Sequence, residues 1–85
     1  MTFEDLEFKP MTNHDNGIHV RVEFPNGYGA SVIQSPSSYG GSNGLYELAV
    51  LYGGHICYDT EITNDVLGYL NQADVTELLQ RIEAL

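Results

Sequence analysis

The chain has 85 residues, 42% of them hydrophobic, and its twelve acidic and three basic side chains give a formal net charge of -9. This size and composition predict a single folded domain with one thin core rather than a disordered chain. The negative charge excludes direct binding to a nucleic-acid backbone, which requires basic surfaces, and no apolar run approaches the roughly 18 residues that would cross a bilayer.

The first segment, residues 1–16, shows no sustained hydrophobic period and contains Pro10 and a polar run over residues 12–16. It predicts a loosely ordered arm with one short extended piece over residues 6–8, followed by a single α+β domain over residues 17–85. Its acidic start differs from the basic and then apolar pattern of a signal peptide. A single cysteine, Cys57, excludes an internal disulfide, so we expect a cytoplasmic protein.

Two β-hairpins are predicted after the arm. Residues 17–24 alternate between apolar and polar side chains, which is the period of a half-buried strand. The turn Pro25-Asn26-Gly27 should return the chain antiparallel over residues 28–34, with Ala30 and Val32 facing inward. Residues 45–52 are almost continuously apolar, as in a central strand, and Gly53-Gly54 should turn the chain into a fourth strand over residues 55–60.

The last third of the chain changes to a helical period. Asn71, with Asp74 three residues later, predicts a capped helix start, and Thr63 or Asn64 could cap a shorter helix before it. The apolar residues of one helical stripe are Val75, Leu78, Leu79, Ile82 and Leu85. The predicted fold is therefore α+β. It has a four-stranded, mainly antiparallel sheet, a short helix, and a C-terminal helix packed on one face, in the order ββββα.

The candidate catalytic residues do not form a convincing site. His55, Cys57 and Asp59 alternate on a predicted strand, but same-face neighbours on a strand stand about 6.6 Å apart, whereas a catalytic triad needs contacts near 3 Å. A metal site that combines His14, His19, His55 and Cys57 would need ligands from separate segments, and no closely spaced ligand pair is present. We therefore expect no enzymatic activity, no cofactor and no metal.

The candidate binding residues are aromatic and acidic. Tyr39 lies within the Gly/Ser-rich segment 35–44, which predicts a long, mobile, exposed loop, and Tyr28 lies beside a turn. An aromatic side chain in such a loop is typical of protein recognition. Glu47, Asp74 and Glu77 are the acidic candidates. Acidic residues on one rigid surface would fit a basic partner or mimic DNA, whereas scattered ones serve only solubility, and both interpretations stay open.

Several blocks resemble a known class of sequences. PNGYGASVIQSPSSYGG, GLYELAVL, CYDTEITNDVLGYL and the closing VTELLQRIEAL, all within residues 25–85, are similar to small uncharacterised open reading frames of tailed bacteriophages. The resemblance assigns no role to any residue. It implies a phage accessory protein that binds a host protein stoichiometrically, with restriction or CRISPR effectors among the targets.

Two functional hypotheses follow from these patterns. The first is a non-enzymatic phage accessory protein, a monomer or homodimer in the host cytoplasm, that inhibits or redirects a host protein with a basic surface. Anti-CRISPR or anti-restriction activity would be of this kind. The alternative is a structural or assembly protein that forms a homo-oligomer through a sheet edge, because exposed edge strands favour such pairing.

Overall fold

The structure is a computed structural model that describes residues 1–12, 16–63 and 65–85. Within these residues the chain forms one helix, two short 3-10 turns at Phe3–Asp5 and Gly41–Asn43, and a six-stranded antiparallel sheet. The elements are β1 (Lys9–Pro10), β2 (Ile18–Glu23), β3 (Tyr28–Gln34), β4 (Tyr46–Tyr52), β5 (His55–Ile56), β6 (Leu67–Leu70) and α1 (Gln72–Glu83). No helix in the described ranges has the length and apolar character needed to cross a bilayer.

The sheet confirms both predicted hairpins but not the count of four strands. Strands β1 to β4 follow one another as antiparallel neighbours, and β5 and β6 share the other edge of β4. Strand β5 covers only two residues instead of the predicted six, and the Cys57 N–H makes one further hydrogen bond to β4 before the chain leaves the sheet. Strand β1, within the arm, adds a short pairing opposite Ile18 and His19.

The predicted short helix before α1 is wrong, because part of that segment is the strand β6. Leu70 pairs with Tyr46 and Leu67 with Leu48, with a β-bulge between the two pairs. The free edge of the buried strand β4 offers backbone partners that a short helix weakened by glycine could not match. Asn64, one of the two predicted caps, lies outside the described residues.

The core lies between one face of the sheet and α1. Ala30 and Val32 of β3, Leu48 of β4, and Val75 and Leu79 of α1 have no exposed surface. The helix begins as predicted, since the Asn71 side chain accepts a hydrogen bond from the Asp74 N–H at 2.8 Å and the Asp74 carboxylate accepts one from the Asn71 N–H at 3.0 Å. This reciprocal cap fixes where the helix leaves β6.

The described part of the arm packs on the same side of the sheet as α1. The Phe3 ring lies 5.0 Å from the ring of Tyr46 and 5.6 Å from that of Phe8, and the Phe3 N–H donates to the Thr76 hydroxyl at 2.8 Å. Leu6 is buried in the core cluster. Residues 13–15 of the predicted arm lie outside the described residues.

The turn between β2 and β3 is joined to the end of α1. The Asn26 side-chain amide donates to the carbonyl oxygens of Ile82, Glu83 and Leu85 at 2.9, 3.2 and 3.2 Å. Its Oδ1 accepts from the Tyr28 N–H at 3.0 Å. Because the last carbonyls of a helix have no partner within the helix, Asn26 supplies a cap from a distant turn.

Candidate functional site

The Gly/Ser-rich segment 35–44 is built of successive turns rather than the open loop that its composition predicts. The Ser35 N–H donates to the Ser38 hydroxyl at 2.9 Å, and that hydroxyl donates to the Ser35 carbonyl at 3.0 Å. The 3-10 turn that follows is flanked by Gly40 and Gly44, both in the left-handed region. These local bonds give the segment a defined path across the sheet.

Tyr39 is held in this segment by contacts with two strands. Its N–H donates to the Glu47 carboxylate of β4 at 3.1 Å, and its carbonyl accepts from the Tyr69 N–H of β6 at 3.2 Å. The Tyr39 and Tyr69 rings stack with centroids 6.4 Å apart and planes inclined by 23°. Their exposed fractions remain 57% and 64%, so the structure presents a fixed pair of tyrosine rings to solvent. We call Tyr39, Tyr69 and Glu47 the tyrosine site.

Two glycines allow the segment to approach β6 so closely. A Cβ atom on Gly68 would lie 2.4 Å from the Tyr39 Cβ, which no real side chain tolerates. A Cβ on Gly40, which has a φ of 83°, would lie 3.0 Å from the Tyr69 Cα. The stacked rings therefore depend on glycine at both positions.

Tyr69 adopts a backbone conformation that disfavours a bulky residue. Its φ is 57°, and it is the one residue other than glycine with a positive φ in the described part of the chain. The left-handed region costs an L-residue roughly 1–2 kcal/mol relative to the right-handed one. Because its ring is mostly exposed, core packing does not explain why a tyrosine occupies this position.

The tyrosine site lies on the face of the sheet that α1 leaves open. Glu47 alternates along β4 with Tyr46 and Leu48, whose side chains belong to the core beneath the helix, so Glu47 projects to the opposite face. Ile33 of β3 pairs with it in register on that open face. A partner that approaches this face meets the aromatic rings without displacing any helix.

The structure brings together Tyr39 and Glu47 but places the other three candidates elsewhere. Tyr28 pairs in register with Tyr52 at the other end of β4, and their rings lie 4.7 Å apart. Asp74 belongs to the helix cap, and Glu77 is exposed on α1. Of the five candidates, only Tyr39 and Glu47 are parts of one surface.

The cap gives the two helix acids different expected mutational effects. We expect Asp74→Ala to lower the free energy of unfolding by about 1 kcal/mol, because it removes the acceptor for the Asn71 N–H. Glu77→Ala, at an exposed position of the same helix, should change it by less than about 0.5 kcal/mol. Urea unfolding followed by circular dichroism measures both, and equal losses would contradict a structural role for Asp74.

The candidate catalytic residues are not arranged as a strand face. Because β5 ends at Ile56, the predicted alternation of His55, Cys57 and Asp59 on one strand does not hold. The Cys57 N–H still donates to the Val50 carbonyl of β4 at 2.8 Å, but Asp59 lies beyond the sheet. His14 lies outside the described residues. Among the residues that the structure describes, no three His, Cys, Asp or Glu side chains are grouped so as to hold a metal ion.

Comparisons with protein-family models, with curated proteins and with solved structures found no match to this chain.

Proposed function

We propose that this protein acts without catalysis, by stoichiometric binding of a host protein through the tyrosine site. In this proposal it is a bacteriophage accessory protein of the host cytoplasm that inhibits or redirects its target. A nuclease-type defence effector with a basic nucleic-acid surface would be a target of the proposed kind. The backbone of Tyr69 is the observation that carries the proposal.

A strained and exposed aromatic residue is better explained by binding than by folding. The φ of 57° at Tyr69 costs stability, and a glycine or asparagine there would avoid most of that cost. Strained residues persist where the strained geometry is used, as in ligand-binding surfaces. Tyrosine supplies a large contact area with little loss of side-chain entropy, and such residues dominate the binding energy of many interfaces.

The charge of the protein supports a basic partner. The formal net charge is -9, and Glu47 lies directly beside Tyr39. Charges around an aromatic contact mainly accelerate association and select the partner, while the buried aromatic contact sets the rate of dissociation. The tyrosine site therefore combines two exposed aromatic rings with one neighbouring carboxylate.

The Tyr69→Gly variant separates binding from folding. We expect its free energy of unfolding to stay the same or rise by up to about 1 kcal/mol, because the strain is relieved. Affinity for the target should fall at least about tenfold, as should that of Tyr39→Ala, because each loses an aromatic contact. Chemical denaturation measures the first effect. The second is measured by affinity capture from bacterial lysate, identification by mass spectrometry, and titration of the purified target.

Tyr58→Ala is the matched control, since Tyr58 is 54% exposed and lies in the segment between β5 and β6, outside the tyrosine site. It should bind as tightly as the unchanged protein. Targets retained equally by all three variants would refute the tyrosine site as the contact. Competition by duplex DNA for the same target would support mimicry of DNA, whereas indifference to DNA would limit the acidic residues to steering and solubility.

A further inference from the structure

The outer edge of β2 is open beyond its first two residues. Along the described chain, β1 pairs only with Ile18 and His19. The Phe24 N–H donates to the Tyr28 carbonyl at 2.7 Å, toward β3, whereas the Gly17 carbonyl accepts from Met11 at 2.9 Å, on the outer side. Because backbone groups alternate in direction along a strand, odd-numbered residues of β2 face outward. Arg21 and Glu23 therefore direct their N–H and C=O groups to the open edge.

A cleft of about 410 Å³ lies beside this edge. Its lining includes Asp5 and Glu7 of the arm and Val20 and Arg21 of β2. The backbone N–H of Thr2 donates to Asp5 at 2.9 Å and lowers the pKa of that carboxyl, so the arm side of the cleft stays negatively charged. The cleft borders the open edge at Arg21 and Val22.

The charges at this edge differ from those of the rest of the protein. Two of the three basic side chains of the chain, Lys9 and Arg21, line the cleft. Arg21 and Glu23 lie on the same face of β2, because they are two residues apart. The Arg21 guanidinium donates to the Gly54 carbonyl at 3.3 Å, an exposed contact that holds the side chain across the open face. Arg21 and Glu23 thus direct their backbone groups to the open edge while their opposite charges lie on the open face of the sheet.

We propose that β2 pairs with β2 of a second copy of this chain, antiparallel and centred on Val22. In that register Arg21 of each copy stands opposite Glu23 of the other. Each Arg21–Glu23 pair exchanges both of its backbone hydrogen bonds, and the two side chains meet as an opposite-charge pair on the same face. The interface is the same on both copies, as a two-fold dimer requires.

The charges of Arg21 and Glu23 favour this register over the two registers whose centre is shifted by one residue in either direction. A shift that centres the pairing on Arg21 places two guanidinium groups opposite each other, and a shift that centres it on Glu23 does the same with two carboxylates. Like charges directly opposite in a sheet are destabilising. Lys9 and Arg21 also reduce, at this edge, the repulsion between two molecules of charge -9.

The dimer would double the number of tyrosine sites in one particle. The proposal of the dimer does not depend on the proposed function. A two-fold axis through Val22 and perpendicular to the sheet joins the two sheets into one, with both helices on one side. The two open faces then lie on the other side, each with its own tyrosine site. A dimer of this form would present two aromatic contacts to one large target or to two copies of it.

Sedimentation of the full chain over a range from about 5 μM to 1 mM tests the proposal, because weak strand pairing falls in this range. We expect a monomer–dimer equilibrium. Arg21→Glu and Glu23→Arg should each weaken dimerisation at least about tenfold, because each places like charges opposite each other in both symmetric pairs. The double variant, with both residues exchanged, should restore it. Glu77→Arg, on α1, is the charge-matched control.

Amide hydrogen exchange provides a second readout that needs no variant. The N–H groups of Arg21 and Glu23 should become protected as protein concentration rises, while that of Ser42 in the exposed 3-10 turn should not. A monomer at every concentration would refute the proposal and leave Arg21 and Glu23 as charges that prevent edge pairing. A dimer unaffected by the exchange of charges, or without protection at Arg21 and Glu23, would also refute it, since its interface would lie elsewhere.

Discussion

Replacement of Leu79 by alanine is expected to lower the free energy of unfolding by about 3–4 kcal/mol. Leu79 lies in the middle of α1, has no exposed surface, and belongs to the core cluster between the helix and the sheet. Removing its side chain deletes buried apolar atoms and leaves a cavity that a sheet on one side and a helix on the other cannot close. For a domain of this size, such a loss is a large share of the total stability.

Leu85→Ala provides the comparison, because Leu85 lies just past the end of α1, packs against the same core cluster and is only half-buried. Removing the Leu85 side chain should lower the free energy of unfolding by about 1 kcal/mol, since part of that side chain is already in water. Thermal unfolding of both variants measures the difference. Similar melting temperatures for the Leu79 variant and the unchanged protein would show that α1 does not pack as the structure describes.

The parts of the fold that the sequence predicted are those with a strong local period. The alternation along β2 and the apolar stripe of α1 each repeat over several residues, and the cap at Asn71 is a local bond. By contrast, the strand β6 has four residues and forms because β4 offers a free edge to it. That edge belongs to a distant segment, so no pattern within residues 67–70 could reveal it.

The tyrosine site was predictable only in part for a similar reason. Tyr39 was recognisable because an aromatic residue within a Gly/Ser-rich segment is unusual, and Glu47 because of its charge. Tyr69 was missed, since its importance comes from a positive φ and from stacking on a ring that lies far away along the chain. The one local signal was Gly68 directly before it, which indicates a close approach of another segment.

Asn26 stabilises the end of α1, a role that its place in a turn does not suggest. Turn asparagines commonly accept hydrogen bonds from their own backbone neighbourhood, as the Asn26 Oδ1 does from the Tyr28 N–H. Its amide hydrogens, however, point to three carbonyl oxygens at the end of α1. The Ile82 and Glu83 oxygens belong to the last turn of α1 and carry the negative end of the helix dipole, so the turn contributes a donor where the helix itself has too few.

Asn26→Asp should therefore lower the free energy of unfolding by about 2–3 kcal/mol, because it replaces a donor with a carboxylate beside three carbonyl oxygens. Asn26→Ala should cost less, about 1–2 kcal/mol, since it removes the hydrogen bonds without adding the charge.

The charged form of the introduced carboxyl group would be disfavoured in the folded state, which raises the folded pKa of that group above its unfolded value. The part of the deficit that is due to the charge should then be complete near pH 7, shrink as the pH falls through the raised folded pKa, and be absent below the unfolded pKa of about 4. Asn43→Asp, at an exposed position of the Gly41–Asn43 turn, controls for the added charge and should change stability by less than about 0.5 kcal/mol. Urea unfolding at pH 7 and pH 3.5 measures all three, and an Asn26→Asp protein as stable as the Asn43→Asp protein would refute the link between the turn and the helix.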